Sequence, residues 1–361
     1  MPIRKTLTAK FAGRLRQEIR SGRYRPDRAL PSERAIAEKY GISRVTARRS
    51  LKQLCAERLI EARPARGYFV VPGATAQAER SEARSLLFIQ RGATDRPTLD
   101  SIHAQIVNGA LGEAHERGLE VYIMCQDLRD FRKTLSTDWG KRLRGVLLDW
   151  ARPDIARLML EENVPFVLVE TDMEGMEVTT VIQDNVGGVH QALQSMIAAD
   201  RRRVGLICGD IGSVHIQQRV SGYREFLLRS GLPRNPGWVA EDSLDDRGGR
   251  RAAAAVLDCA EPPDALLVCH REMIGGVLAE LVARDLKYPD DVSVAVWGDP
   301  DPGEAGGEFT DITHVHWCKE EMGQMAVRAL EERIKVGHPE RMVFRIGTSL
   351  MDCGSVAAPK D

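Results

Sequence analysis

From residue 86 onward, short apolar segments alternate with amphipathic segments, and this alternation constrains the fold more than any other feature of the chain. Apolar residues recur every three or four positions in 102–117 and 187–199, which indicates helices between the apolar segments. The candidate strands are Leu86–Gln90, Glu120–Met124, Gly145–Leu148, Phe166–Val169, Thr180–Ile182, Val204–Ile207, Ala265–Val268 and Val292–Val296. This order is typical of parallel sheets with helices on both faces. Because roughly 270 residues exceed one such sheet, we predict two α/β lobes with a cleft between them.

The first 71 residues follow a different pattern, three short helices and a hairpin. The first helix should span about Thr8 to Arg20, and Ser32 and Ser43 are suited to cap the second and third helices. In the third helix one face is apolar, with Ala47, Leu51 and Leu54. Arg44 and Arg48 lie on the other face, four residues apart. Two short apolar segments around a turn at 63–67 predict a β-hairpin, and this order of elements indicates a winged helix-turn-helix.

Residues 72–84 separate these two patterns. Their sequence, PGATAQAERSEAR, holds small and charged residues without an apolar period, which is typical of a linker. We therefore predict a winged helix-turn-helix domain at 1–71, a linker at 72–84 and a two-lobed α/β domain at 85–361.

The charge of the chain is divided unevenly between these parts. Residues 1–84 contain 20 Lys and Arg against 8 Asp and Glu, whereas the rest contains 31 basic and 44 acidic residues. A basic domain attached to an acidic one suggests that the basic domain alone meets a polyanion, because cationic side chains neutralise nucleic-acid phosphates. A merely solvated basic face is the alternative that charge by itself leaves open.

Several classes of protein are disfavoured by the same sequence. The longest apolar runs, such as Val164–Val169, have the length of strands, and no apolar stretch follows the basic residues at the start of the chain, so we expect a cytoplasmic protein with no membrane partner. The seven cysteines form no CxxC pair, which disfavours a disulfide framework or a zinc site. Only His314 and His316 have a metal-type spacing, and we expect neither a metal nor a cofactor.

Three segments of the basic domain closely resemble the GntR family of DNA-binding domains. They are LPSERAIA at 30–37, GISRVTARR at 41–49 and RGYFV at 66–70. The resemblance implies that the third helix enters the major groove of double-stranded DNA and that the wing reaches the minor groove. The candidate DNA-binding residues are Arg34, Ser43, Arg44, Thr46, Arg48, Arg49, Arg66 and Gly67.

The chemistry of these side chains agrees with that implication. An arginine can bond O6 and N7 of guanine bidentately, so Arg44 and Arg48 are the best candidates for contacts with bases. Ser43 and Thr46 stand near a helix N-terminus, where hydroxyl and backbone donors suit a phosphate. For Ser43 an ordinary helix cap is the alternative.

The remainder of the chain resembles the effector module of the LacI/GalR family. The landmarks are Asp184-Asn185, RVSGY at 219–223, PDA at 263–265, PDDVSV at 289–294 and EMG at 321–323. A GntR-type domain attached to such a module looks like the arabinose-repressor subfamily. The resemblance implies that Arg219 binds the effector, because a guanidinium presents a rigid set of donors. The candidate effector-binding residues are Asp149, Trp150, His215, Arg219, His270, Arg271, Asp299 and Trp317.

Two departures from that family suggest the charge of the effector. His270 and Arg271 stand where the family usually has Asn-Asp, and Gly298 stands at the position of a ligand-binding aspartate, with Asp299 next to it. These changes replace acceptors of sugar hydroxyl protons with donors, so we predict an anionic effector such as a sugar acid or a sugar phosphate. Alternatively, Arg271 points to solvent, His270 caps a strand end and the tryptophans belong to the core.

Together these features predict a transcription repressor that binds a palindromic operator as a homodimer and is controlled by a sugar-like effector. A DNA-binding regulator whose cleft has degenerated into a dimerisation or interaction scaffold is the alternative. A sugar-processing enzyme fused to a DNA-binding domain is disfavoured, because no GxSxG, HExxH, Walker or GxGxxG motif occurs.

Overall fold

The computed structural model describes residues 7–20, 23–26, 28–57, 59–64, 66–71, 83–89, 101–124, 128–149, 152–173, 175–209, 211–299, 311–336 and 341–359. Trp150 and most of the predicted linker lie outside these residues. The described residues form a winged domain followed by two α/β lobes.

The winged domain has the predicted order of three helices and a hairpin. Its elements are α1 (Leu7–Arg20), α2 (Glu33–Tyr40), α3 (Arg44–Ala56), β1 (Ile60–Arg63) and β2 (Gly67–Val70), and the two strands pair antiparallel. The Ser32 side chain accepts a hydrogen bond from the backbone N–H of Ala35, which confirms the predicted cap of α2. Gly41 ends α2 in the left-handed conformation, with φ of 63°. The apolar faces of the helices meet in one core, with Phe11, Leu15, Ile19, Ile36, Ala47, Leu51 and Leu54.

The first lobe begins with an alternation of strands and helices. Its elements are β3 (Ser85–Ile89), α4 (Ser101–Glu116), β4 (Glu120–Met124), α5 (Leu128–Ser136), α6 (Asp138–Lys141), β5 (Leu143–Asp149), α7 (Pro153–Glu161), β6 (Phe166–Val169) and β7 (Thr180–Gln183). All neighbouring strands in its sheet are parallel, as predicted.

After β7 the chain enters the second lobe. Its elements are α8 (Asn185–Ala198), β8 (Val204–Cys208), α9 (Val214–Arg229), β9 (Val239–Glu241), α10 (Asp246–Leu257), β10 (Ala265–Val268), α11 (Ile274–Ala283), β11 (Ser293–Trp297) and β12 (Thr313–Trp317). Short 3-10 helices occupy Pro236–Trp238 and Arg271–Met273. The strands from β8 to β12 also pair in parallel.

The chain then crosses back to the first lobe and returns once more. Helix α12 (Lys319–Val336) packs against α4, strand β13 (Val343–Ile346) joins the first sheet beside β7, and β14 (Thr348–Met351) joins the second sheet beside β12. The three crossovers therefore leave from the carboxyl ends of β7, β12 and β13. This arrangement brings the carboxyl edges of the two sheets to a common cleft, where open α/β sheets bind ligands.

Four strands were absent from the sequence prediction: β9, β12, β13 and β14. Strand β14 pairs antiparallel with β12, so the second sheet is mixed rather than wholly parallel. These strands are short, and β12 alternates buried and half-buried residues in the sequence THVHW, so none forms a continuous apolar run. Among the described residues, no helix has the length and apolar character needed to cross a membrane.

Candidate DNA interface and effector cleft

The solvent-facing side of α3 carries the predicted base-contacting residues. Arg44, Arg48 and Arg49 are exposed, whereas Ala47 and Leu51 on the opposite side are buried in the core of the winged domain. Val45, beside Arg44, is 59% exposed although it is apolar. The face that α3 presents to solvent thus combines guanidinium donors with one aliphatic side chain, a combination that can contact base edges and a thymine methyl group.

The start of α3 is organised by Ser43 and Thr46. The Ser43 side chain accepts a hydrogen bond of 3.1 Å from the backbone N–H of Thr46, and the two hydroxyl oxygens lie 2.8 Å apart. Ser43 is therefore the cap of α3, which was the alternative that the sequence left open. Capping does not exclude a phosphate contact, because the helix N-terminus and the Thr46 hydroxyl lie at the same place.

Glu33 positions one of these arginines. Its carboxylate accepts hydrogen bonds from Nε of Arg48 at 2.9 and 3.1 Å, and the Tyr68 hydroxyl on the wing donates to it at 3.4 Å. The hydrogen bonds from Arg48 lower the pKa of Glu33 although burial acts to raise it. Glu33 thereby links α2, α3 and the wing and restricts the rotamers of Arg48.

The remaining predicted DNA-binding residues lie on α2 and the wing. Arg34 is exposed and donates to Glu38 on the next turn at 2.9 Å. Arg66 and Gly67 are exposed at the start of β2, where Gly67 has φ of 97°, a conformation that favours glycine. Next to them the guanidinium of Arg63 lies 4.4 Å above the Phe69 ring.

In the second lobe, Arg219 on α9 is buried at the cleft. Its Nε donates to the Asn185 side chain at 2.9 Å, its Nη1 donates to the Cys269 carbonyl at 2.5 Å, and its guanidinium lies 3.9 Å above the ring of Trp297. Burial lowers the pKa of Arg219 to about 10, and the charge of Glu170 in the first lobe opposes this effect. At neutral pH Arg219 is therefore a cation, held in place by neutral partners.

Two of the predicted histidines accompany Arg219. His215 and His270 lie with their ring centroids 6.2 Å apart, and the backbone N–H of Gly209 donates to Nδ1 of His270 at 3.4 Å. Burial, with the nearby charge of Arg219, lowers the pKa of His215 to about 3 and that of His270 well below its ordinary value. Both rings are thus neutral and can donate one hydrogen bond each. Arg271 forms an ion pair with Glu272 at 3.2 Å and is mostly buried, with 10% of its side chain exposed.

The first lobe contributes a group that the sequence predicted only in part. Asp149 ends β5, and Glu170 follows the neighbouring strand β6 with φ of 54°. Nε2 of His103, on the first turn of α4, lies 3.2 Å from Asp149 and 3.8 Å from Glu170. His103 and Glu170 were not predicted. The signal that could have found Glu170 is its place directly after a buried strand next to the strand that Asp149 ends.

Asp299 and Trp317 lie where the chain crosses between the lobes. The Asp299 carboxylate follows β11 in the second lobe and is bound by Nζ of Lys319, the first residue of α12, and by Nδ1 of His316 at 2.7 Å. Although burial acts to raise it, these hydrogen bonds lower the pKa of Asp299. Trp317 is 2% exposed and belongs to the core of the first lobe. This placement favours a role in the core over stacking of its ring against the effector.

Proteins built in this way contact DNA through the winged domain and hold a ligand between the lobes. The class is that of ligand-responsive transcription regulators. Residues 7–70 match the model of the bacterial regulatory proteins of the gntR family, and residues 193–356 match the periplasmic binding protein-like domain. The chain therefore joins a gntR-type DNA-binding domain to a periplasmic-binding-protein-like domain, as its sequence motifs predicted.

Curated relatives and solved structures agree with this assignment. The HTH-type transcriptional repressor CytR of Escherichia coli K12 is 26% identical over 331 residues, which cover 88% of this chain and 92% of CytR. The repressor PurR of Aliivibrio salmonicida is 23% identical over 260 residues, which cover 70% and 77%. The structure of the regulator CelR with cellobiose has the same fold, with a TM-score of 0.65, 24% identity, and coverage of 90% of this chain and 100% of CelR. The chain is a DNA-binding transcription regulator with a periplasmic-binding-protein-like body.

Proposed function

We propose that this regulator is a repressor that acts in the cytoplasm as a homodimer on a palindromic operator, and that a small-molecule effector bound between the lobes controls its affinity for DNA. The observation that carries the proposal is the exposed arginine face of α3, held in a folded domain by its buried opposite face. Arg44 and Arg48 then contact bases, Ser43 and Thr46 contact the phosphate backbone, and the wing reaches the minor groove. Because the relatives are repressors and the chain carries none of the common catalytic motifs, the proposal assigns no enzymatic activity.

A second copy of the chain has a suitable surface on the first lobe. Among the strands that the structure describes, β4 is the edge of the first sheet, and Tyr122 and Ile123 on it are 43% and 41% exposed. Leu111 on the adjacent helix α4 is 38% exposed. Exposed apolar side chains along an unpaired strand edge favour association, and a twofold interface there would present two winged domains to the two half-sites of a palindrome.

For DNA binding we expect Arg44→Ala to weaken binding to the operator by about 1 to 3 kcal/mol and to relax the base preference at one position of each half-site. Gel-shift titrations against a set of single-base operator variants measure both effects. Arg229→Ala is the matched control, because Arg229 is an exposed arginine on α9 of the second lobe. If Arg44→Ala bound every operator variant as tightly as the parent chain and the control do, Arg44 would not contact bases.

The charge of the effector follows from Arg219 and its surroundings. Its hydrogen-bond partners are an amide oxygen and a carbonyl, and among the described residues no carboxylate forms an ion pair with it. A buried cation is stabilised when an anion binds beside it. We therefore propose that the effector is a sugar-like molecule with a negative charge that lies against Arg219 and Arg271.

A thermal-shift comparison of glucose with glucuronate, and of ribose with ribose 5-phosphate, tests the charge of the effector. We expect the anionic member of the matching pair to raise the melting temperature more, because it binds more tightly beside Arg219. A ligand at a hundred times its Kd stabilises the protein by about 2.7 kcal/mol. Arg271→Ala should remove that preference, and Arg229→Ala should keep it. Stabilisation by the neutral sugars alone, unchanged in Arg271→Ala, would show that the charge assignment is wrong.

A further inference from the structure

The proposed anionic effector lies against the basic side of the cleft, whereas the opposite side is acidic. That side is formed by His103, Asp149 and Glu170 in the first lobe. Asp149 lies opposite Val169 in the pairing of β5 with β6. Glu170 is the next residue after Val169, so the two carboxylates lie at the ends of adjacent strands. Helix α4 brings His103 to the same edge of the sheet. The three side chains therefore come from three separate elements and converge on one point.

The spacing of these three side chains is somewhat wider than that of ligands around a bound metal ion. Imidazole and carboxylate ligands lie about 2.0 to 2.2 Å from a divalent transition metal, so two neighbouring ligand atoms are about 3 to 3.5 Å apart. Nε2 of His103 lies 3.2 Å from Oδ2 of Asp149 and 3.8 Å from Oε2 of Glu170. One ligand atom from each of the three residues can be chosen so that all lie within 4.8 Å of one another. Binding of an ion would require the side chains to rotate so that their ligand atoms approach one another.

The charges and the burial of the group also favour a cation. The residues Asp149 and Glu170 are only 2% and 7% exposed, so two carboxylates approach each other largely out of contact with water. Two carboxylates so close together favour a cation beside them, and a divalent ion could bind both.

We propose that His103, Asp149 and Glu170 bind a divalent first-row transition-metal ion through Nε2 and one oxygen of each carboxylate. One imidazole with two carboxylates suits Mn²⁺, Fe²⁺ or Zn²⁺ better than the soft ion Cu⁺. Three protein ligands leave coordination positions open. The metal site does not depend on the identity of the effector.

Binding of Mn²⁺ alone to the full chain tests the site. Mn²⁺ is the probe because it prefers oxygen and imidazole ligands, whereas Zn²⁺ would also bind the partly exposed thiols of Cys55, Cys259, Cys318 and Cys353. The loss of the electron paramagnetic resonance signal of free Mn²⁺ counts the bound ions. We expect one ion per chain, with affinity reduced about tenfold or more in His103→Gln and in Glu170→Gln.

His115→Gln is the matched control, since His115 is exposed near the end of the same helix. It should bind Mn²⁺ as the parent chain does, and circular dichroism should show that all three variants are folded. No bound Mn²⁺ in the parent chain would overturn the proposal, as would equal affinity in His103→Gln and His115→Gln. Stabilisation by a primary amine such as glucosamine, without any binding of Mn²⁺, would also overturn it and would assign the group to an ammonium.

Discussion

Replacing Arg201 with methionine is expected to lower the free energy of unfolding of the second lobe by about 3 to 5 kcal/mol. Arg201 is 2% exposed, and burial lowers its pKa. Its guanidinium donates hydrogen bonds to the Ser293 hydroxyl and to the backbone carbonyls of Pro289, Asp290, Asp291 and Ala357. One side chain thus joins the loop before β11 to the segment that follows β14. Methionine fills a similar volume but leaves the buried carbonyls without a donor.

Arg202→Met is the matched control for this prediction. Arg202 is the next residue, and its ion pair with Asp200 is exposed, so the substitution should change stability by less than about 1 kcal/mol. Urea denaturation followed by tryptophan fluorescence measures unfolding of both lobes, including the second lobe, where Trp238 and Trp297 lie. Equal midpoints for the two variants would show that the bonds of Arg201 contribute little.

We expect Gly109→Ala to destabilise the first lobe by about 3 kcal/mol, the upper end of the usual range for overpacking. Helices α4 and α12 cross so closely at this point that a Cβ on Gly109 would lie 2.0 Å from the carbonyl oxygen of Glu320. A Cβ on Gly323 would likewise lie 1.9 Å from the carbonyl oxygen of Ile106. Backbone atoms cannot rotate away as a side chain can, so the two helices must separate.

Gly112→Ala should have the opposite effect on stability. Gly112 lies one turn along α4, and apart from the adjacent backbone of its own helix a Cβ there would meet no described atom within 4 Å. Alanine is favoured over glycine inside a helix by up to about 1 kcal/mol, so this variant should be more stable than the parent chain. Thermal melts of the two variants under the same conditions make the comparison. If both substitutions raised the melting temperature, the close contact between α4 and α12 would not exist in solution.

Much of the winged domain was predictable because its signals are local. Ser32 and Ser43 cap helices that begin one residue later, and Gly41 ends α2, so residues close in the chain set each boundary. The recurrence of apolar residues every three to four positions predicted the buried face of α3. It also predicted that Arg44, on the opposite face, is exposed. The hydrogen-bond partner of Arg48 could not be predicted from the sequence, because Glu33 is fifteen residues away on another helix.

The effector cleft was predictable to a smaller extent. Resemblance to a known family pointed to Arg219, and the structure places it at the cleft with His215 and His270. The resemblance did not point to His103 or Glu170. Trp317, named for its aromatic side chain, lies in the core of the first lobe. Comparison with a family motif identifies only the positions that the motif contains. His103 and Glu170 lie outside the matched motifs, so the comparison could not identify them.

The sequence by itself determined the alternation of strands and helices, the ends of the helices in the winged domain, and the concentration of positive charge in its first 84 residues. Tertiary structure alone decided that α12 returns to the first lobe, that Lys319 binds Asp299 across the crossover, and that His103 meets Asp149 and Glu170. The physical reason is that the period of apolar residues specifies which face of an element is buried, but not which other element covers it. That choice depends on how all the buried faces pack at once, and the meeting of distant charged side chains depends on it in turn.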